Sequence, residues 1–168
     1  MSESALPATP ADLLARLDAL GIDHHTIEHP PVFTVDEAKR LRGRIPGAHV
    51  KNLFLRDKKG VMWLFTCLED RDVDLLWLAD QIGCKRFSFG SAERLLRTLG
   101  VEPGSVTPFG VINDRAREVG VALDRGLLDH DPLNFHPLVN DRTTAVSPSG
   151  LVRFLEAEGH PPRWIAFP

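Results

Sequence analysis

The stretch VKNLFLRDKKGVMWLFTC, residues 50–67, predicts the centre of the fold. Two apolar runs of strand length, residues 50–56 and 61–67, flank the turn residues DKKG and so predict an antiparallel hairpin. Successive side chains of a strand point to opposite faces, which places Lys51 on the same face as Leu53 and Leu55. A lysine in that position either extends its ammonium past the leucines into water or serves a binding site.

Five helices are predicted around this hairpin from capping residues and apolar periodicity. They lie between Thr9 and Gly21, between Thr34 and about Gly43, from about Asp72 to Ile82, between Ser91 and Gly100, and between Ser147 and Gly159. Further strands are predicted at residues 22–28, 86–89, 109–112, 118–124, 134–139, 142–146 and 164–167. The order indicates one α+β domain over residues 1–168, with a mixed, largely antiparallel sheet flanked by helices. Residues 1–9 lack periodicity and are expected to be flexible.

Composition and charge argue against several classes of protein. The 168 residues suit one domain, and 20 Lys+Arg against 23 Asp+Glu give a net charge of −3. That balance argues against a protein that coats nucleic acid without specificity, and no DNA partner is expected. Cys67 and Cys84 lack C-x-x-C spacing and are interpreted as reduced thiols. We find neither a signal-peptide pattern nor an apolar run long enough for a membrane span, so a cytoplasmic protein without a membrane partner is expected.

Several familiar catalytic signatures are missing. The sequence has no G-x-S-x-G, no Walker loop and no G-x-G-x-x-G. His25 and His29 are four residues apart, a spacing that aligns side chains only on a helix, whereas the neighbouring residues favour a strand and a loop. Together with His24 they are interpreted as polar residues at a strand edge. Without H-E-x-x-H or a Cys/His cluster, no metal site is predicted, and no cofactor is expected.

Three regions carry more glycine, proline and polar residues than core packing requires. They are Lys51-Asn52 after Pro46-Gly47, the loop EPGSVTPFG at residues 102–110, and the run NFHPLVND at residues 134–141. Taken singly, each has a structural interpretation: a lysine that reaches water, a turn between a helix and a strand, and a core histidine. The alternative interpretation is that the three regions together line a pocket with backbone N–H groups, a cation and an imidazole.

Taken together, these motifs resemble a known family. The stretches KNLFLRDKKG, GSVTPFG, NFHPLVNDRTTAVS and HHTIEHPPVFTVDEA are similar to the YbaK/prolyl-tRNA synthetase-associated editing domain family. Within it they look most like the freestanding alanyl-tRNA(Pro) deacylases. The resemblance extends from about residue 10 to residue 165. It implies hydrolysis of the ester of mischarged tRNA(Pro), with the tRNA acceptor end and prolyl-tRNA synthetase as partners.

The resemblance also implies roles for particular residues. Lys51, followed by Asn52, matches the family's essential lysine, and His136 matches its histidine in an H-P pair. The family's pocket loop matches the segment from Gly104 to Gly110, either of which could present the key N–H to the substrate carbonyl. An aminoacyl ester is already activated, so an oriented water and a stabilised oxyanion could suffice.

Substrate selection is expected to depend on size and charge. A small pocket would reject the proline ring by overlap, with Phe33, Ile45 and Leu53 as candidate walls. Phosphate contacts are expected from a basic run near Lys51 and from the hairpin tip. The candidates are Lys39, Arg40, Arg42 and Arg44 in the run, and Arg56, Lys58 and Lys59 at the tip. Two alternatives remain open: a cysteinyl-tRNA(Pro) deacylase, and a non-catalytic module that binds tRNA or docks on a synthetase.

Overall fold

The protein folds into five α-helices and eight strands in the computed structural model, which describes residues 6–31, 35–43 and 45–168. The helices are α1 (Pro10–Ala19), α2 (Val35–Arg42), α3 (Leu75–Ile82), α4 (Ala92–Leu99) and α5 (Pro148–Ala157). The strands are β1 (His25–Glu28), β2 (Val50–Arg56), β3 (Met62–Leu68), β4 (Ser88–Phe89), β5 (Val119–Asp124), β6 (Leu133–Phe135), β7 (Arg142–Val146) and β8 (Arg163–Ile165). Within the described ranges no helix has the length and apolar character that crossing a bilayer requires.

The strands form two sheets. The larger has the order β4-β2-β3-β5-β8, with β2 antiparallel to both β3 and β4, and β5 parallel to both β3 and β8. The smaller has the order β1-β7-β6, and both of its pairings are antiparallel. The predicted α+β class and the hairpin are therefore confirmed. A bridge between Ala48 and Leu133 connects the two sheets where the chain enters β2.

The larger sheet is buried on both faces. Phe54, Leu64 and Val121 pack on one face in a cluster shared with α1, α4 and α5. Leu55 and Phe65 pack on the other face against α3. Neighbouring strand residues thus enter different cores, which explains why β2 and β3 are nearly continuous apolar runs.

Helix ends follow the capping chemistry of the sequence. Thr9 and Asp12 form a reciprocal capping box at the start of α1, and Ser91 and Ser147 cap α4 and α5. Ala8 N–H donates to Asn113 Oδ1 at 2.8 Å, so this part of the segment expected to be flexible is hydrogen-bonded. The proposed capping box at Thr34 lies outside the described residues.

Several local predictions differ from the structure, including the following three. The strand predicted at 109–112 is a 3₁₀ helix, Pro108–Asn113, because Thr107 caps it and Pro108 occupies its first turn. The strand predicted at 134–139 ends at Phe135, and Leu138 adopts a left-handed φ of 72°. Helix α3 begins at Leu75 rather than near residue 72, because the Asp74 side chain accepts from Leu76 N–H.

Candidate active site

A pocket of about 160 Å³ opens where the start of β2 meets β6 and β7. Its lining residues are Leu41, Ile45, His49, Val50, Asn52, Glu69, Asn134, Phe135, His136 and Thr143. A larger hollow of about 400 Å³ adjoins it and shares Ile45, Asn134 and Thr143 with it. The structure therefore brings three of the predicted site residues, Asn52, His136 and Ile45, into one concavity.

The loop before β2 contributes Ile45 and His49 to the pocket, and Asn134 holds this loop against β6. Asn134 is 4% exposed, and its Nδ2 donates to Pro46 O at 3.0 Å and to Ala48 O at 3.1 Å. Both partners are carbonyl oxygens, which fixes the orientation of the amide. Backbone bonds from Ala48 N to Pro132 O and from Asn134 N to Ala48 O complete the junction. The position of Ile45 at the pocket wall therefore depends on β6.

Asn52 presents a hydrogen-bond donor to the pocket. Its Oδ1 accepts from the Thr66 hydroxyl at 2.6 Å. Because the carbonyl end of the amide is occupied, the Nδ2 group is the part of Asn52 that remains for a ligand. This arrangement could bind a carbonyl or phosphate oxygen.

His136 is placed to accept a hydrogen bond. Its Nδ1 lies 3.5 Å from Arg142 O, an oxygen that can only accept, so the proton is assigned to Nδ1 and the Nε2 lone pair is left for the pocket. Burial lowers the pKa of His136, and the nearby His29 lowers it further, against an opposing effect of the Arg142 carbonyl. The ring is therefore neutral at pH 7.

Lys51 lies at the same end of the hairpin as the pocket but on the other face of β2. It pairs across the strands with Cys67, and Leu53 and Leu55 pack in the cluster on that face, as the alternation predicted. Its Nζ donates to the carbonyl oxygen of Arg71, just beyond the end of β3. The cation is thus held at the rim of the strand, and Lys51 is not among the residues that line the pocket.

The thiol next to Lys51 is not an alternative nucleophile. Burial raises the pKa of Cys67 to about 12, although the Lys51 charge lowers it somewhat. A thiol with that pKa is protonated at neutral pH and is therefore unreactive.

The two loop glycines have different environments. Gly110 is buried, its N–H donates to Thr107 O at 3.0 Å, and a Cβ added there would lie 2.9 Å from Leu99 Cβ. That donor is occupied, so the candidate role of Gly110 in binding a carbonyl is corrected to close packing against α4. Gly104 is exposed, and its nearest neighbour from another segment is Asn140 in the loop that follows His136. Neither glycine is among the residues that line the pocket, and of the two Gly104 is the exposed one.

The remaining predicted residues do not converge on the pocket. Leu53, a candidate wall, packs against the α3 cluster instead, because its side chain is on the Lys51 face of β2. Arg40 is exposed on α2. Phe33 and Arg44 lie outside the described residues, as do the side chains of Lys39 and Arg42.

The hairpin tip is far from the pocket. Lys58 and Lys59 follow the end of β2 opposite to Lys51, roughly 20 Å away at about 3.3 Å per residue. Nearness in sequence to Lys51 therefore does not bring these lysines to the site.

Four polar lining residues were not predicted as site residues: His49, Glu69, Asn134 and Thr143. Asn134 has the same parity as His136 across the end of β6, so strand alternation could have identified it. Thr143 hydrogen-bonds His29 Nε2 at 2.8 Å, a contact 114 residues apart in sequence that no local pattern reveals. Among the residues that the structure describes, no three His, Cys, Asp or Glu side chains are grouped so as to hold a metal ion.

Comparison with known proteins identifies the family. The chain matches the aminoacyl-tRNA editing domain over residues 29–154. It is 38% identical over 149 residues to the prolyl-tRNA editing protein ProX of Acetoanaerobium sticklandii, covering 88% of this chain and 91% of that protein. It is 38% identical over 162 residues to prolyl-tRNA synthetase associated domain-containing protein 1 of Mus musculus, covering 94% and 95%.

The fold also matches a solved structure. A candidate trans-editing enzyme for prolyl-tRNA synthetase superposes with a TM-score of 0.69 at 20% identity, covering 92% of this chain and 95% of that one. At this identity the likeness bears on the fold alone, and the sequence matches carry the assignment. This chain belongs to the aminoacyl-tRNA editing domain family.

Proposed function

We propose that this protein is a trans-editing deacylase that hydrolyses the aminoacyl ester of mischarged tRNA(Pro), with alanyl-tRNA(Pro) as its preferred substrate. The observation that carries the proposal is the small pocket in which the Asn52 amide and a neutral His136 converge. The family and the name of the ProX relative support the substrate class. The proposal implies a cytoplasmic protein that acts beside prolyl-tRNA synthetase.

The chemistry needs orientation more than a nucleophile. In the proposed complex the aminoacyl group enters the pocket, Asn52 Nδ2 and the Gly104 N–H donate to ester oxygens, and His136 Nε2 orients the aminoacyl group. Water attacks the carbonyl carbon, the bond to the ribose oxygen breaks, a proton from the water passes to that ribose oxygen, and the amino acid and free tRNA leave. Donors aimed at the developing oxyanion are the main source of acceleration in such reactions.

Lys51 contributes charge at the rim. A lysine ammonium is a compact cation with three donors, suited to the phosphate or ester oxygens of the acceptor end. In this proposal it meets the RNA at the end of β2, while the aminoacyl group lies on the opposite face. This division explains why a cation can share a strand face with Leu53 and Leu55.

The test is a panel of deacylation assays with alanyl-, cysteinyl- and prolyl-tRNA(Pro). We expect alanyl-tRNA(Pro) to be hydrolysed fastest and prolyl-tRNA(Pro) to be spared. Faster turnover of the cysteinyl ester would identify a cysteinyl-tRNA(Pro) deacylase. Tight binding of tRNA without hydrolysis above the spontaneous rate would identify a non-catalytic module. A chelator is expected to leave the rate unchanged.

Lys51→Ala tests the rim cation. We expect near-complete loss of deacylation with the fold intact by circular dichroism. Lys58→Ala is the matched control, since Lys58 is exposed at the other end of β2. Full activity of Lys51→Ala would remove Lys51 from the proposed site.

A further inference from the structure

The ammonium of Lys51 is held by a backbone carbonyl rather than by a side-chain carboxylate. Its partner, Arg71 O, belongs to the segment that leaves β3 after Leu68. Glu69 of the same segment lines the pocket, and Glu69 N–H donates to His49 O at 3.1 Å. The position of this segment therefore decides where the charge of Lys51 lies relative to the pocket.

The Arg71 side chain anchors that segment to a buried acid at the end of β5. Arg71 Nε donates to Asp124 Oδ2 at 2.9 Å, and Nη2 donates to Oδ1 at 3.3 Å. A two-point contact between a guanidinium and a carboxylate fixes direction as well as distance. The guanidinium also lies over the Phe167 ring, 4.5 Å from its centroid. Arg71 is thus fixed from two sides.

Asp124 is itself held rigidly. It is 0% exposed, its Oδ2 accepts from Leu68 N–H at 3.1 Å, and its Oδ1 accepts from Gly126 N–H at 2.8 Å. The carboxylate therefore connects the last residue of β3 to the Arg71 side chain, on either side of the turn at residues 69 and 70. The Arg71 N–H closes this turn by donating to Leu68 O at 3.1 Å.

We propose that Arg71 and Asp124 are positioning residues that lock the turn after β3 so that the Arg71 carbonyl holds the Lys51 ammonium at the start of β2, on the face opposite the pocket. The proposal rests on the proposed function for its catalytic consequence, but the contact itself is a property of the free protein. Lysine has a long, flexible stem, and a fixed acceptor restricts where its charge can lie. Orientation set before the substrate arrives favours catalysis.

The test compares Arg71→Met and Asp124→Asn with the control Glu158→Gln. The control weakens the contact between Arg16 Nε and Glu158 Oε1, whose distance is 2.8 Å and which involves none of the pocket residues. The first measurement is the side-chain ¹³Cε and ¹⁵Nζ resonances of Lys51 in the free protein. We expect them to move in both test variants and to stay unchanged in the control.

The second measurement is deacylation of alanyl-tRNA(Pro). We expect kcat/KM to fall roughly 10–100-fold in the test variants, and Arg71→Lys to recover part of the loss because it restores one charged contact to Asp124. Arg71 is the safer variant if Asp124→Asn fails to fold, because its side chain is 33% exposed.

Unchanged Lys51 resonances in a folded Arg71→Met protein would overturn the proposal. If the Lys51 resonances move in a test variant that deacylates as fast as the wild-type protein, the catalytic consequence is wrong. If the wild-type protein deacylates none of the esters, the proposed function fails, and the resonances still decide whether Arg71 positions Lys51.

Discussion

At the scale of single residues, β2 separates two kinds of chemistry by alternation. Asn52 presents an amide to the pocket, while Lys51, one residue earlier, presents its charge on the other face. In the proposed complex the two groups meet one substrate at the strand end, where the chain no longer separates the faces. The order Lys-Asn at the start of a buried strand therefore indicates one polar group on each face of the strand, which neither residue indicates alone.

The first prediction concerns the protonation of His136. Its pKa is lowered from the ordinary value of about 6.5, mainly by burial, so the neutral ring persists to lower pH than in an exposed histidine. Deacylation should lose rate as the pH falls through this lowered pKa, because the ring gains a proton and Nε2 ceases to accept. The measurement is kcat/KM between pH 5 and pH 8, with spontaneous hydrolysis subtracted.

The matched variant is His136→Gln, which does not titrate in this range. We expect it to be slower by about tenfold or more and to lack the acid limb. An acid limb that persists in this variant would assign the titration to another group.

The second prediction concerns size selection by Ile45, which is 6% exposed and lines both hollows. Ile45→Ala should raise the rate on prolyl-tRNA(Pro) relative to alanyl-tRNA(Pro) by about tenfold or more, because discrimination by a few carbon atoms is worth roughly 1–3 kcal/mol. Ile82→Ala is the control, since Ile82 is similarly buried but packs against the other face of the sheet. Equal rate ratios in the two variants would show that Ile45 is not a wall.

At the scale of elements, the connection from α2 to β2 is the part of the fold on which the pocket depends most. Gly47 has a φ of 101°, and a Cβ added there would lie 2.6 Å from Pro132 O and 3.0 Å from Asn134 Nδ2. Both the backbone conformation and the close approach of β6 require glycine.

The third prediction is the effect of Gly47→Ala. Gly60→Ala is the matched control, because Gly60 has a φ of 88° but nothing within 4 Å of an added Cβ. The control should lose about 1–2 kcal/mol of unfolding free energy from backbone strain alone. Gly47→Ala should lose clearly more and should also lose deacylation, since the loop and β6 must separate. Urea unfolding and the alanyl-tRNA(Pro) assay measure the two effects, and equal losses of unfolding free energy in the two variants would contradict the requirement for glycine at position 47 beside β6.

At the scale of the whole molecule, a buried hydrogen bond between His160 and Asp114 connects the C-terminal part of the chain to the segment before β5. His160 Nε2 lies 2.9 Å from Asp114 Oδ2, and the two residues are 4% and 3% exposed. Asp114 also accepts from the N–H groups of Glu118 and Val119. Burial raises the pKa of Asp114, but these hydrogen bonds, led by that of His160, outweigh it, and the net pKa is lowered.

The fourth prediction follows from this sign. A carboxyl group with a lowered folded pKa contributes stability above its unfolded value near 3.8, and the contribution is lost as the pH falls through the folded value. Asp114→Asn should cost about 1.5–3 kcal/mol at pH 7, because it replaces a buried carboxylate that takes part in three hydrogen bonds. The loss should shrink near pH 3. Asp80→Asn, at an exposed position on α3, should change little at either pH.

Urea unfolding at pH 7 and at pH 3 measures these differences. If Asp114→Asn loses the same unfolding free energy at pH 7 and at pH 3, the carboxylate charge is not the stabilising feature.

The sequence by itself determined the elements that depend on near neighbours. The β2–β3 hairpin follows from alternation around DKKG, the ends of α1, α4 and α5 follow from capping residues, and the family follows from short motifs. Lys51, Asn52 and His136 could be named before their positions were known. These signals extend over a few residues, so a single stretch of chain contains them in full.

Only the tertiary structure decided which of these residues meet. The pocket forms because β6 docks on the loop before β2. The hydrogen bonds that dock it join residues that are 86 and 88 positions apart in the sequence. That docking brought Asn134 and Thr143 into the pocket, and the packing of the loop at residues 102–110 left Gly104 exposed and Gly110 buried. The physical reason is that a pocket wall is defined by the packing of distant segments, whose register no local pattern contains.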